Sequence, residues 1–177
     1  MGSTQVGLIR GINVGRAKRV AMGDLRALMQ SLGYRDSRTL LNSGNIIFTA
    51  GRDDPSRSAA RIERAMSTRL GVSARIIVLA AADFSSVVRE NPLSEIADDP
   101  ARLLVAFLSN TADRARLRPL TRQDWRPEVL ALGSHAAYLW CPAGILGGRL
   151  PEAVGRVLGE ATTSRNWATV TKIQALF

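Results

Sequence analysis

Basic and amide side chains are concentrated close to the amino terminus. Arg10, Arg16, Lys18 and Arg19 lie within ten residues that contain no acidic residue, and Asn13 lies among them. Guanidinium and ammonium groups pair with phosphate and carboxylate oxygens, and an amide can donate a hydrogen bond to the same oxygens. This segment therefore predicts an anion-binding loop. The alternative is that Arg10 and Asn13 only hydrogen-bond loop carbonyls and fix the turn.

Two later segments carry the same chemistry. Asn45 lies in a predicted tight turn, where its amide either satisfies local backbone groups or is presented beside Arg10. On the last predicted helix, Arg165, Thr169 and Lys172 share a face that could bind a phosphate or carboxylate, or could simply be the solvated face. The candidate anion-binding residues are Arg10, Asn13, Arg16, Lys18, Arg19, Asn45, Arg165, Asn166 and Lys172.

Side chains suited to catalysis or metal binding are scarce. Cys141 is the only cysteine and His135 the only histidine, which excludes an internal disulfide, a cysteine zinc cluster and a His-rich metal site. Ser134 directly precedes His135, and this adjacency argues against a nucleophile and base pair. Cys141 is interpreted as a packed side chain rather than a reactive thiolate. We find no catalytic signature, metal site or cofactor motif, so the sequence leaves open whether the protein is an enzyme.

The net charge narrows the class of ligand. The 177 residues carry a formal charge of +9, and residues 1–70 hold 12 basic but only 5 acidic side chains. Such an excess of positive charge attracts a phosphate-bearing ligand or nucleic acid. The single cysteine and the lack of a long apolar segment predict a cytoplasmic protein with no membrane contact.

The first half of the chain shows a regular order of elements. Alternating and helical apolar patterns predict, in order, a strand over 6–14, a helix around 25–32, strands over 39–42 and 46–49, a helix over 55–70 and a strand over 74–79. The order β-α-β-β-α-β is that of a ferredoxin-like unit, in which two crossover helices cover one face of a four-stranded antiparallel sheet.

The second half repeats most of this order. The predicted elements are a helix over 83–90, a strand over 103–108, a helix over 113–120, strands over 129–132 and 136–141, a helix over 151–158 and a final helix capped by Thr163 or Ser164. We therefore predict an α+β fold of two similar ferredoxin-like subdomains, 1–91 and 92–177, with antiparallel sheets and a C-terminal helix.

Three segments resemble the signature segments of the domain of unknown function 1697 family. They are Leu8-Ile9-Arg10-Gly11-Ile12-Asn13-Val14-Gly15, Ser43-Gly44-Asn45, and Thr162-Thr163-Ser164-Arg165-Asn166-Trp167-Ala168-Thr169-Val170-Thr171-Lys172. The resemblance extends over almost the whole chain. It implies an α+β fold and a bacterial cytosolic origin, and it implies no particular reaction.

The chain departs from the family pattern at two places. Asn42 stands where the family more often has Gln, and Gly147 and Gly148 stand where many relatives have Arg and Ser. If the loop around Gly147 binds an anion in relatives, Arg149 and backbone amides would have to bind it here.

Three functions are consistent with these patterns. The first is a non-catalytic protein that contacts phosphates, possibly of nucleic acid, through the basic loop after strand 1. The second is an enzyme that acts on a small phosphorylated or carboxylated metabolite in a cleft between the subdomains. The third is a purely structural role for the signature segments.

Overall fold

The computed structural model describes residues 2–16 and 18–177, which form two units. Unit 1 runs to Phe84 and also includes Leu176–Phe177, whereas unit 2 is Ser85–Ala175. Each unit contains one four-stranded antiparallel sheet, and the described residues form six α-helices. These features confirm the predicted α+β class with two similar subdomains. No helix within the described residues is long and apolar enough to cross a bilayer.

Unit 1 has the connectivity of a ferredoxin-like unit. Its elements are β1 (Ser3–Ile9), α1 (Met22–Ser31), β2 (Arg35–Leu40), β3 (Asn45–Ala50), α2 (Pro55–Leu70) and β4 (Ile76–Ala80). The strands lie in the order β2-β3-β1-β4, and every neighbouring pair is antiparallel. The two central strands, β1 and β3, are each followed by a helix, as the β-α-β-β-α-β pattern requires.

The helices α1 and α2 each bury one apolar face. Leu25 and Met29 of α1 are four residues apart, as are Ile62 and Met66 of α2, so each pair lies on one side of its helix. All four belong to a core that also contains Phe48 of β3, and none is more than 1% exposed. Burying a side chain of this size stabilises the fold by roughly 1.5–3 kcal/mol. The sheet and its helices therefore form a firm support for the loop that joins β1 to α1.

The hairpin between β2 and β3 differs from its predicted form. The pattern predicts a strand over 39–42, but β2 begins at Arg35 and ends at Leu40. Leu41 has a positive φ of 58°, a conformation that L-residues rarely adopt within a strand. The strand therefore ends before Leu41, and Asn42 lies in the turn.

Unit 2 repeats the sheet order of unit 1. Its strands are β5 (Leu103–Leu108), β6 (Val129–Leu132), β7 (Ala136–Trp140) and β8 (Thr162–Asn166), in the order β6-β7-β5-β8. The remaining helices are α3 (Ala81–Arg89), within which the two units divide, α4 (Arg114–Leu117), α5 (Arg149–Leu158) and α6 (Trp167–Gln174). Short 3-10 helices at Thr111–Asp113 and Arg118–Arg122 flank α4, so the predicted helix over 113–120 is irregular.

The C-terminal helix is present as predicted, but its predicted cap, Thr163 or Ser164, is wrong. Thr163 and Ser164 belong to β8, where they pair with Phe107 and Ala106 of β5. The helix begins only at Trp167. Its cap is Asn166, whose side chain accepts a hydrogen bond from the backbone N–H of Thr169 at 3.0 Å. The strand β8 completes the β-α-β-β-α-β order of unit 2.

Candidate anion-binding loop

The loop over residues 13–20, here called the basic loop, is closed by Asn13. The Asn13 backbone N–H donates to the carbonyl oxygen of Lys18 at 3.1 Å. Its side-chain oxygen accepts from the backbone N–H of Val20, and its Nδ2 donates to the carbonyl oxygen of Val20, both at 2.9 Å. Asn13 has a φ of 55°, which turns the chain at the start of the loop. Local hydrogen bonds therefore fix the two ends of the basic loop to each other.

Asn13 also joins the basic loop to the turn between β2 and β3. Its Nδ2 donates a second hydrogen bond, 2.7 Å long, to the carbonyl oxygen of Asn42. In the same turn, the carbonyl oxygen of Gly44 accepts from the backbone N–H of Ile9 at 2.9 Å. The turn thus lies against the end of β1. The hypothesis that residues 43–45 belong to the same site as Arg10 requires this arrangement.

Gly44 is the residue that permits this close approach. It has a φ of 81°, and a Cβ placed on it would lie 2.8 Å from side-chain atoms of both Ile9 and Ile12. Ile9 and Ile12 are buried in the core of unit 1. Only glycine satisfies both the backbone angle and the available space.

Asn45 contributes to the turn from within. It is fully buried, and its Nδ2 donates to the carbonyl oxygen of Leu40 at 2.9 Å and to the hydroxyl oxygen of Ser43 at 3.0 Å. Like Asn13, Asn45 uses its amide group on neighbouring groups of the chain. The side chains of these two asparagines therefore hold the basic loop and the turn in shape.

The three cations of the basic loop lie on the surface. Arg16, Lys18 and Arg19 are exposed. Among the residues that the structure describes, none of the three takes part in an ion pair. Arg10, the first residue after β1, is half-buried, and its backbone N–H donates to the carbonyl oxygen of Arg75. The basic loop therefore presents three positive charges to solvent.

Other arginines of unit 1 are paired with carboxylates. Arg61 donates to the carboxylate of Asp53, and this hydrogen bond holds the pKa of Asp53 below its ordinary value. Arg57 lies 3.8 Å from the same carboxylate, and Arg75 lies 3.0 Å from that of Glu63. The basic loop lacks such local neutralisation.

A shallow concavity lies beside the basic loop. It has a volume of about 370 Å³ and is lined by Asn13, Arg19, Val20, Ala21, Met22 and Asn42. The residue before α1 is Ala21, and no side chain caps this helix. The first N–H groups of a helix have no partner within it and favour negative charge. Arg19 and the start of α1 therefore line one concavity that suits an anion.

Two exposed apolar side chains flank the basic loop, and sequence reasoning missed both. Val14 is 70% exposed and Leu41 is 50% exposed. They are the sequence neighbours of Asn13 and Asn42, which are joined by a hydrogen bond. The only sequence signal for Val14 is its position between an asparagine and a glycine in a basic segment. An exposed Leu41 could not be foreseen, because the pattern predicts it within a strand.

The predicted site residues of unit 2 lie on separate elements. Arg165 belongs to β8, and its Nη1 donates to the hydroxyl oxygen of Thr163 and the carbonyl oxygen of Ser164 at 3.0 and 2.8 Å. Burial lowers the pKa of Arg165 to about 10. Lys172 is exposed in the last turn of α6, and Asn166 caps that helix. The predicted helix face shared by Arg165 and Lys172 is therefore absent.

The loop that departs from the family pattern already holds a carboxylate. Glu128 Oε2 accepts a hydrogen bond from the backbone N–H of Leu150, in the first turn of α5, at 3.0 Å. A Cβ on Gly148 would lie 2.6 Å from Glu128 Oε1, so glycine makes room for this carboxylate. The Arg149 guanidinium lies 5.6 Å from the centre of the Trp125 ring, within the range of a cation–π contact.

The side chains considered for catalysis have structural contacts. Cys141 is fully buried, and burial together with the nearby Glu128 carboxylate raises the pKa of its thiol to about 12. This confirms the interpretation of Cys141 as a packed side chain. Ser134 donates hydrogen bonds from its hydroxyl and its backbone N–H to Glu90 Oε2, at 2.7 and 3.2 Å. Within residues 2–16 and 18–177, no three or more His, Cys, Asp or Glu side chains cluster as metal ligands would.

The chain is an α+β protein of two units, each with one four-stranded antiparallel sheet. A family model described as "Protein of unknown function (DUF1697)" matches residues 3–138, and the chain belongs to this family. This confirms the resemblance drawn from the signature segments. Among solved structures, the chain is similar to the conserved bacterial protein SP0830 from Streptococcus pneumoniae, with 23% identity, a TM-score of 0.81 and 99% coverage of each chain. That similarity shows a shared fold. No curated protein matches the chain.

Proposed function

We propose that this protein binds phosphate-bearing anions through Arg16, Lys18 and Arg19 of the basic loop, without catalysing a reaction. The observation that carries the proposal is a loop whose ends are hydrogen-bonded to each other and which bears three exposed cations with no ion-pair partner among the described residues. Asn13 joins the two ends of the loop before a ligand binds. Binding therefore costs less conformational entropy than binding to an open, flexible loop would.

The start of α1 supports the same ligand class. Its uncapped first turn lines the concavity together with Arg19. Backbone N–H groups at a helix N-terminus and a nearby guanidinium both donate hydrogen bonds to phosphate oxygens. A phosphate group in this concavity would satisfy groups that otherwise bind water.

Nucleic acid is the phosphate-bearing ligand that we favour. A polyanion with regularly spaced phosphates can contact several cations at once, and each contact adds to the affinity through release of counterions. The exposed side chains of Val14 and Leu41 add apolar surface beside the cations, which suits contact with sugars or base faces. These contacts would be largely independent of base sequence, because no base-reading side chain has been identified.

The salt dependence of binding tests this proposal. We would measure the anisotropy of fluorescein-labelled single-stranded and duplex RNA and DNA between 50 and 300 mM NaCl. The triple variant Arg16→Ala, Lys18→Ala, Arg19→Ala should reduce the slope of log K against log [NaCl] by about 2 to 3, since each phosphate contact contributes about 0.7–0.9.

A matched variant separates the basic loop from overall charge. Arg114, Arg118 and Arg122 of unit 2 are exposed, and their triple replacement by Ala removes the same net charge. This control should leave the slope nearly unchanged. Absence of binding to every strand type at 50 mM NaCl, or equal slopes for the two triple variants, would refute the proposal.

A further inference from the structure

A second basic surface of unit 1 lies along α2, and none of the residues that line it belongs to the basic loop. It is a groove of about 410 Å³. Its apolar lining is Leu32, Ala60 and Ala65, with the aliphatic parts of the arginines around it. The basic residues that line it are Arg57, Arg61, Arg64 and Arg69. We call this surface the arginine groove.

The spacing of the arginines places three of them on one side of α2. Arg57, Arg61 and Arg64 follow the i, i+4, i+7 pattern, whose members lie on one helix face. Seven residues correspond to about 10.5 Å along a helix axis, so Arg57 and Arg64 stand about two turns apart. The helix thus carries a row of positive charge beside an apolar strip.

Arg61 is occupied by contacts within unit 1. It donates to the Asp53 carboxylate and, at 2.9 Å, to the carbonyl oxygen of Leu32. Its guanidinium also lies 5.3 Å from the centre of the Tyr34 ring. The Arg61 side chain is therefore held in place at the edge of the groove, and its guanidinium is paired with a carboxylate of the same unit.

Among the described residues, Arg57 and Arg64 have weaker contacts with carboxylates than Arg61 has. The Arg57 side chain is 70% exposed, and its nearest carboxylate oxygen, on Asp53, lies 3.8 Å away. Arg64 is exposed, and among the described residues its guanidinium has no hydrogen bond or ion pair. Arg69, in contrast, donates to the hydroxyl oxygen of Ser31. Two cations about two helical turns apart thus border the apolar strip.

We propose that the arginine groove binds an acidic amphipathic helix of a partner protein. Carboxylates seven residues apart on that helix would match Arg57 and Arg64, and aliphatic side chains between them would cover Leu32, Ala60 and Ala65. Charge complementarity selects an acidic partner. The apolar strip selects a partner that carries aliphatic side chains between its acidic groups, as an amphipathic helix does.

A designed peptide tests this interface on the full chain. The probe is a labelled, end-capped helical peptide of about 15 residues with Glu at i and i+7 and Leu at i+3 and i+4. Fluorescence anisotropy at 150 mM NaCl should show at least tenfold weaker binding to Arg57→Glu, Arg64→Glu than to the unaltered chain. The matched control Arg114→Glu, Arg118→Glu should change binding less than threefold, because neither residue lines the groove.

A charge-swapped peptide provides the converse measurement. Replacing both Glu residues of the probe by Lys should give a peptide that binds Arg57→Glu, Arg64→Glu more tightly than the unaltered chain. Tight binding between the Lys peptide and the double variant would show that the swapped charges contact each other directly. General electrostatic attraction would not depend on which residues carry the charges. Circular dichroism would show that the double variant keeps its fold.

The outcomes also separate this interface from phosphate binding at the basic loop. The triple Ala variant of the basic loop should keep its peptide affinity within about threefold, since none of its three cations lines the groove. Equal peptide binding by the groove variant and its control would overturn the proposal. Loss of nucleic-acid binding in the groove variant alone would assign the groove to nucleic acid instead. If the chain self-associates and the variant Arg57→Glu, Arg64→Glu does not, the groove would be assigned to a second copy of the chain instead.

Discussion

Two glycine-bearing loops of this chain lead into helices, and they treat negative charge at the helix N-terminus in opposite ways. The basic loop leads into α1, which no side chain caps. The loop over 143–148 leads into α5, where the Glu128 carboxylate accepts a hydrogen bond from Leu150. Both helix starts favour an anion for the same reason, the unpaired N–H groups of the first turn. At the start of α5, the carboxylate of Glu128 accepts a hydrogen bond from the helix, whereas Arg19 lines the concavity at the start of α1.

The comparison shows that a glycine-rich loop before a helix does not identify a ligand site by itself. What matters is whether the same chain supplies the anion. An intramolecular carboxylate needs no second molecule, so it excludes a weakly bound free anion. Gly148 permits this arrangement in unit 2, because a side chain there would meet Glu128.

The largest expected effect is on the free energy of unfolding. It compares a glycine of the β2–β3 turn with a glycine of the loop over 143–148. Gly44→Ala should lower the free energy of unfolding by about 3 kcal/mol or more, because positive φ and contact with Ile9 and Ile12 both oppose it. Gly147 also has a positive φ, of 75°, but no atom within 4 Å of a built Cβ. Gly147→Ala should therefore cost only about 1–2 kcal/mol of backbone strain. Urea unfolding of both variants measures the difference, and equal losses would contradict the packing of the turn against β1.

Removing the internal carboxylate should make the two helix starts alike. Glu128→Ala should lower the free energy of unfolding by about 0.5–2 kcal/mol, the usual effect of losing a helix cap. It should also let sulfate bind at α5. A site with a dissociation constant of about 10 mM would regain about 1.4 kcal/mol in 100 mM sulfate.

Thermal unfolding with sulfate or with chloride of equal ionic strength measures this gain. Glu128→Gln serves as the control, since it keeps the size of the side chain and an oxygen acceptor. If sulfate stabilises Glu128→Ala no more than the unaltered chain, α5 does not offer the anion position inferred for it.

The smallest effect tests whether the basic loop depends on its fixed shape. Asn13→Gly keeps the positive φ and all three cations but removes the side-chain hydrogen bonds to Val20 and Asn42. The loss should be about 1 kcal/mol in stability and a few-fold in nucleic-acid affinity, through greater loop disorder. The salt dependence should stay the same because the charges remain. A reduced slope in anisotropy titrations would show that Asn13 contributes directly to phosphate contact.

The sequence by itself determined the features that depend on local spacing. Apolar periodicity located α1, and Asp54, Pro55 and Gly71 bounded α2 as predicted, with Asp54 accepting from the Arg57 N–H. The order of strands and helices then indicated two ferredoxin-like units. The cluster of Arg16, Lys18 and Arg19 is likewise visible without a structure.

Features that depend on distant residues were decided only by the tertiary structure. The segment over 162–166 carries the polar residues of a helix start, yet it forms β8 because its partner is β5, more than 50 residues earlier. The arginine groove forms because Leu32, outside α2, lies beside Arg61. The start of α5 has an internal carboxylate because Glu128 accepts a hydrogen bond from the backbone N–H of Leu150. Apolar periodicity shows which secondary structure a segment can form. Strand pairing, helix capping and the presence of an internal carboxylate at a helix start depend on residues from other parts of the chain.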